Sequence, residues 1–260
     1  MLIDTHAHLD FPDFEPDRPG VIRRAQEEGV AYIINVSADL RGCLASLELA
    51  GRYENIYASI GIHPHHAQEI TPDDFSQVTG FIKNEKVVAI GEIGLDFYRN
   101  LSPSEIQKEL FVKFLTLSQS AKLPVIIHSR EAQEETLKIL KENSCSGLEG
   151  VVHCFSGDRN FMSKCLDLGL YISFTCNITY KKSASLRELV KYAPGDRLLI
   201  ETDCPYLPPE GLRGRRNAPE NVKLLAQFIA DLRGSRIEDI AKSTTENAIS
   251  LFRLKTNNNG

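Results

Sequence analysis

The sequence predicts a single-domain TIM barrel, an α/β fold built from eight repeated strand–helix units. Three observations predict it. Eight short, β-branched and nearly continuous apolar runs recur along the 260 residues, the pattern of parallel strands covered on both faces. Amphipathic stretches separate these runs in units of roughly 30 residues, the rhythm of βα repeats. Eight such units in a chain of about 250 residues are what closes a barrel. No Gly-x-Gly-x-x-Gly follows the first run, which argues against the alternative of a doubly wound open sheet.

The runs fall at 2–5, 30–36, 56–62, 86–92, 123–128, 150–155, 168–174 and 197–202. Between the fourth and fifth, the stretch 102–122 starts with Ser102, Pro103 and Glu105, an N-terminal helix signal. Leu110, Phe111, Phe114, Leu115 and Leu117 then recur at near-helical spacing and give that stretch a core-facing stripe. After the eighth run come two more helix candidates, 217–234 and 235–254. Pro219 stands near the start of the first, and Gly234 near its end reads as a C-cap. No Pro/Gly/Ser linker or like-charge run divides the chain, so residues 1–254 are read as one domain. Residues 255–260 are read as a frayed, disordered tail.

Hydrophobic residues at 42% and charged residues at 25% exclude a disordered or coiled-coil chain. No apolar run reaches the ~18 residues of a membrane span. Asp4 sits where an export signal would carry its apolar region. Six cysteines (Cys43, Cys145, Cys154, Cys165, Cys176, Cys204) form no C-x-x-C pair, which fits free thiols in the cytoplasm. A net charge of -5 excludes a broad basic face for duplex DNA. Any nucleic-acid chemistry must then rest on local charge or bound metal.

Seven histidines carry the main chemical signal. His6, His63, His128 and His153 each fall at or just past the end of an apolar run, and His8 follows His6 by two residues. Glu92 closes the fourth run and Asp203 follows the eighth. In a parallel barrel all strands end on one rim, so these residues converge in space. His6 and His8 lie two apart on an extended segment, project to the same side and can chelate one cation. Taken singly, each histidine also suits a hydrogen-bonded structural role, and each carboxylate suits a helix cap. Taken together, these imidazoles and the two carboxylates on one rim need compensating charge, which a pair of divalent cations supplies. Such a mixed donor set suits zinc, manganese or iron. Glu201 lies two residues before Asp203 and faces the same side, as a proton acceptor or as the orienter of a ligating histidine.

The stretches DTHAHLD, GIHPH, IGEIGLDFYR, IIHSR, HCFSG, ETDCPYL, RGRRNAP and TTENA run in this order from residue 4 to residue 248. Together they resemble the TatD-related metal-dependent hydrolases, the TatD DNase family of the amidohydrolase superfamily. The resemblance implies a TIM barrel with two divalent ions, zinc, manganese or magnesium. One ion would be held by His6, His8, Glu92 and Asp203, the other by His128, His153 and a bridging Glu92. A carboxylate suits that bridge because its two oxygens can face two ions. The carbamylated lysine that other amidohydrolases use is excluded, since no lysine ends the fourth or fifth run. His63 would touch the scissile phosphate with help from His65, while His66 is read as solvated.

Arg215 is the expected phosphate clamp in the basic stretch after the eighth run, because arginine makes paired hydrogen bonds to phosphoryl oxygens. Arg99, Arg130, Lys181, Lys182, Arg213 and Arg216 are the other rim cations, and Phe97, Tyr98, Tyr180 and Tyr206 are candidates to stack on bases. TCNITYKK, with Cys176 at a turn where the family carries glycine, departs from the pattern and bears on substrate preference. The implied activity is a metal-dependent phosphodiesterase or deoxyribonuclease acting on nucleic-acid ends, with single-stranded DNA as substrate. Asp203, with Glu201, would handle the proton of the attacking water. The alternative keeps the site and changes the bond to the C–N or ester bond of a cyclic amide, a lactone or an aminoacyl-tRNA. A metal-binding scaffold without turnover is a further rival. The sequence leaves the oligomeric state open, and a monomer is compatible with it.

Overall fold

The structure, a computed structural model, describes residues 1–143 and 147–255. Cys145 and, apart from Lys255, the expected tail lie outside the described residues. All eight apolar runs form strands: β1 (Leu2–Ala7), β2 (Val30–Val36), β3 (Ile56–Ile60), β4 (Val87–Asp96), β5 (Val125–Arg130), β6 (Gly150–Val152), β7 (Tyr171–Phe174) and β8 (Leu198–Ile200). They pair in sequence order, each parallel to the next. A parallel bridge between Ala7 and Cys204 brings the last strand round to the first. There the Asp203 N–H donates to the His6 carbonyl and the His8 N–H to the Cys204 carbonyl, both at 2.9 Å.

The helices that cover the strands are α1 (Arg18–Glu27), α2 (Leu40–Arg52), α3 (Pro72–Phe81), α4 (Ser104–Ala121), α5 (Gln133–Asn143), α6 (Arg159–Asp167), α7 (Ala184–Tyr192), α8 (Val222–Arg233) and α9 (Ile237–Phe252). Their ends follow local chemistry. Asp39 caps α2 by accepting from the Gly42 N–H, and Thr71 and Asp74 form a reciprocal capping box on α3. Gly234 ends α8 in the left-handed region, φ 63°, as its position predicts. Among the described residues no helix is long and apolar enough to cross a membrane. The five described cysteines are free thiols.

What positions the site is the layering inside the barrel. Ile3, Ile34, Tyr57, Val88, Ile126, Val151 and Leu199 form a buried cluster with Ala248, Leu251 and Phe252 of α9, which closes the floor. Side chains alternate along a strand, so residues two and four further on share that inward direction. This carries His128 and Arg130 beyond Ile126, His153 beyond Val151, and Glu201 and Asp203 beyond Leu199. In β1 and β4 the pairing slips between Asp4 and Ala7 and between Ile90 and Ile93, and such slips re-aim side chains. They bring His6, His8 and Glu92 into the same layer. Gly94 permits the approach of β4 to β5: at φ 136°, an added Cβ would lie 2.0 Å from the His128 carbonyl oxygen.

Candidate metal centre

Glu92 stands at the middle of the rim, and its two carboxylate oxygens face two separate groups. Oε1 lies 2.7 Å from His128 Nδ1 and 2.7 Å from His153 Nε2. Oε2 lies 3.4 Å from His6 Nε2 and 4.0 Å from His8 Nε2. Asp203 closes the second of these groups, with Oδ1 3.8 Å from His6 Nε2 and 3.5 Å from His8 Nε2. His6, His8 and Asp203 therefore offer ligand atoms within 4.8 Å of one another, and His63, Glu92 and His128 do the same. Asp203 itself sits in the left-handed region, φ 55°, which aspartate tolerates better than most side chains.

The hydrogen bonds behind the ring nitrogens decide what the facing nitrogens can do. His8 Nδ1 lies 2.7 Å from the Val36 carbonyl oxygen, so that nitrogen carries the proton and Nε2 presents a lone pair. His128 Nε2 lies 3.2 Å from Asp96 Oδ2, leaving its Nδ1 facing Glu92. His153 Nδ1 makes no hydrogen bond but faces Glu201 Oε1 at 3.3 Å, so that the carboxylate draws the proton to Nδ1 and leaves Nε2 toward Glu92. Yet His6 Nε2 and His8 Nε2 are only 3.2 Å apart, and His128 Nδ1 and His153 Nε2 only 3.4 Å. At each pair the facing nitrogens, ringed by carboxylate oxygens, need positive charge between them, a proton or a cation. A divalent cation at each pair supplies that charge, so the donor set fits metal.

Ionisation shows the same attraction for positive charge. Burial alone would push the His8 imidazole down, but Asp203 and Glu92 carry it up to about 9. Burial would raise the Glu92 carboxyl, yet the imidazoles of His153 and His128 hold it well below its ordinary range. His63 differs. Burial holds it well below 6.5 and thus neutral. Its Nδ1 accepts the His65 N–H at 3.1 Å, so its proton is on Nε2, 3.5 Å from Glu92 Oε1. A ring nitrogen that carries a proton is a donor and not a ligand.

These groups floor a cavity of about 640 Å³, lined by His8, His63, His65, Glu92, His128, His153 and Asp203 among others. His65 Nε2 reaches Asp96 Oδ2 at 2.8 Å. His66 pairs with Glu69 at the exposed edge. Two expected residues lie elsewhere. Glu201 is buried behind His153 and does not line the cavity; its Oε1 accepts the Cys154 N–H at 2.7 Å. That placement suits an orienter of His153, not a proton acceptor at the reacting atoms. Arg215 is exposed and also outside the cavity lining. Arg216 pairs with Asp17 through two 2.8 Å hydrogen bonds, and Arg213 lies over Tyr180. The cations that do line the cavity are Arg99 and Arg130.

Asp96 is the residue that sequence reasoning missed. It is wholly buried and joins His65, His128 and the Arg99 N–H. Its signal was present in IGEIGLDFYR, where the apolar pattern continues past Glu92 and ends on a carboxylate. Phe11, stacked on His8 with ring centroids 4.7 Å apart, was missed as well. At the divergent turn, Cys176 is buried away from the cavity, and Asn177 is the residue that lines it.

A family model described as TatD related DNase matches residues 3–253. A Bacillus subtilis (strain 168) protein named uncharacterized metal-dependent hydrolase YabD is 43% identical over 254 residues, covering 98% of this chain and 100% of its own. A 3'-5' ssDNA/RNA exonuclease TatD from Erwinia amylovora is 38% identical, covering 97% of this chain and 100% of its own. The crystal structure of YJJV, a TATD homolog from Escherichia coli K12, superposes with a TM-score of 0.92 at 32% identity over 98% of both chains.

Proposed function

Because the chain belongs to the TatD related DNase family of metal-dependent hydrolases, we propose that it hydrolyses phosphodiester bonds at the ends of single-stranded nucleic acid, DNA above all. The observation that carries this reading is the divided carboxylate of Glu92, one oxygen toward His128 and His153 and the other toward His6 and His8. Glu92 would bridge two divalent ions, zinc, manganese or magnesium, with Asp203 completing the first site. When bound, such a pair neutralises charge on the phosphoryl oxygens and makes a nearby water more acidic.

The chain's own residues supply the rest. Asp203 orients the attacking water and takes its proton. Burial would raise its carboxyl, but the neighbouring imidazoles of His8, His6 and His153 keep it below its ordinary range and ionised. His63, neutral and with its proton on Nε2, donates to an oxygen of the scissile phosphate. His65, fixed on Asp96, lines the wall beside it. Glu201 holds His153 in the orientation that presents Nε2. The exonuclease activity of the Erwinia amylovora relative, 3'-5' on ssDNA/RNA, supports an end-acting mode in that direction.

A 5'-labelled single-stranded oligodeoxynucleotide tests the reading, assayed metal by metal beside its duplex and an RNA of the same sequence. Stepwise shortening from the 3' end is expected, abolished in Asp203→Asn. Metal-loaded protein that leaves every strand intact, yet turns over a lactone, cyclic amide or aminoacyl ester, would overturn it.

A further inference from the structure

Two guanidinium groups line the cavity without carboxylate partners. Among the described residues, no Asp or Glu oxygen lies within 4.0 Å of the Arg99 or Arg130 side chain. Both are nevertheless fixed at the backbone. Arg130 ends β5 opposite Asp96 in the ladder, and the Phe97 N–H donates to its carbonyl at 2.9 Å. The Arg99 N–H donates to Asp96 Oδ1 at 2.7 Å, while the other oxygen of that carboxylate binds His65 and His128. One buried anion thus ties the two arginines' segments to the ligand group of His128.

The Arg130 guanidinium lies over the Tyr98 ring, Cζ 4.0 Å from the centroid, and Tyr98 is 57% exposed. Burial does not hold that pair in place; the attraction of a cation for an aromatic face does. Arg130 is two residues beyond His128 on an inward-facing row, about 7 Å further out along the strand. That offset is comparable to the step between successive phosphates of an extended single strand. The opposite wall is aromatic and uncharged at this level, with Phe11 on His8 and Tyr206 edge-on to Phe11. A strand whose scissile phosphate lies over Glu92 therefore meets free positive charge on one side only.

Building on the phosphodiesterase reading, we infer that Arg99 and Arg130, with Tyr98 beneath, form a seat for the phosphate adjoining the scissile one. Paired N–H donors of a guanidinium match two phosphoryl oxygens, and the Arg130–Tyr98 stack extends toward the adjoining sugar and base. The seat makes the enzyme read chain length. A substrate with only its scissile phosphate leaves the seat empty, so digestion slows at the dinucleotide stage.

The test compares d(TpTpT), which carries an adjoining phosphate, with d(TpT), which does not, at fixed salt and saturating metal. Wild-type kcat/KM should favour d(TpTpT) by roughly 10- to 150-fold, the worth of one charge-assisted hydrogen bond. Arg130→Gln and Arg99→Gln should each lower d(TpTpT) cleavage far more than d(TpT) cleavage, with metal content unchanged. Tyr98→Leu should weaken the preference and Tyr98→Phe keep it. Arg215→Gln, outside the cavity, should keep the wild-type ratio. Equal losses on the two substrates, or a wild type that cleaves both without preference, overturn the seat while leaving the phosphodiesterase reading intact. A wild type that cleaves neither, under any metal, sinks both.

Discussion

Glu92→Gln is the substitution that most directly interrogates the centre, because it keeps the side chain's size and removes its charge. In the wild type Oε1 sits 2.7 Å from two imidazoles and Oε2 3.4 Å from a third. Both proposed ions therefore lose the same ligand in one step. A site filled at a thousand times its Kd adds about 4 kcal/mol to stability. For 260 residues, at about 2.1 cal/mol/K of unfolding entropy per residue, that is about 7 °C in Tm for each site. Two sites should raise the wild-type Tm by about 15 °C over the chelated protein. In Glu92→Gln the rise should shrink to less than about 5 °C, and metal analysis should find fewer than two ions per chain. Thermal melts in chelator and in stepped metal concentrations read the shift, with circular dichroism confirming that the stripped variant is folded. A variant that retains two ions at full occupancy and the full rise in Tm would refute the bridging role.

Asp96→Ala should free His128 Nε2 and weaken metal binding at the His128–His153 pair by about 10- to 100-fold, while the His6–His8 pair binds as before; Asp96→Asn, which keeps an acceptor oxygen, should lie between. Isothermal titration of the chelated variants decides this, and equal weakening at both pairs would contradict it. The Asp17–Arg216 pair gives a pH test. Arg216 holds the Asp17 carboxyl below its ordinary range, so its stabilisation is present above the unfolded carboxyl's pKa and is lost as pH falls through the lower folded one. At this exposed site the pair is worth at most about 1 kcal/mol. Asp17→Asn should therefore lower Tm by no more than about 2 °C at pH 7, with the difference disappearing in acid; a larger loss that persists in acid would assign Asp17 another role.

The strands were legible because each is a short, β-branched run buried on both faces, and that requirement leaves its mark in composition. The residues proposed as ligands were legible for a related reason. A histidine or carboxylate that ends such a run has no packing role to hide it, so His6, His128, His153, Glu92 and Asp203 stood out. Asp96 did not, because the sequence shows where an apolar pattern ends and not which side chains a bulged β4 turns inward. Arginines were the least legible. Arg215 lies in the densest basic stretch, yet it stays exposed outside the cavity while its neighbour Arg216 pairs with Asp17, nearly two hundred residues away. Arg130, isolated in the sequence, reaches the cavity because β5 carries it there on the row of His128. Density of charge along a chain says little about which cations a barrel rim gathers.

An acidic chain and the acidic substrate proposed for it are consistent once charge is counted at the cavity. Glu92, Asp96 and Asp203 line it, each held below the ordinary carboxylate range. Only Arg99 and Arg130 oppose them. Leaving the histidines aside, the cavity without metal carries one net negative charge, offset only by protons that imidazoles such as His8 take up. Two divalent ions reverse this to three net positive charges. On the proposed reading metal would then strengthen substrate binding as well as supply chemistry, and the surface of the protein need not be basic. Fluorescence anisotropy of a labelled strand with phosphorothioate linkages should show binding to the loaded protein that is lost on chelation and restored by metal. Because the attraction is local and partly buried, added salt should weaken it less steeply than it weakens a protein that binds through many surface lysines. Equal affinity with and without metal would mean that the strand is recognised somewhere other than this cavity.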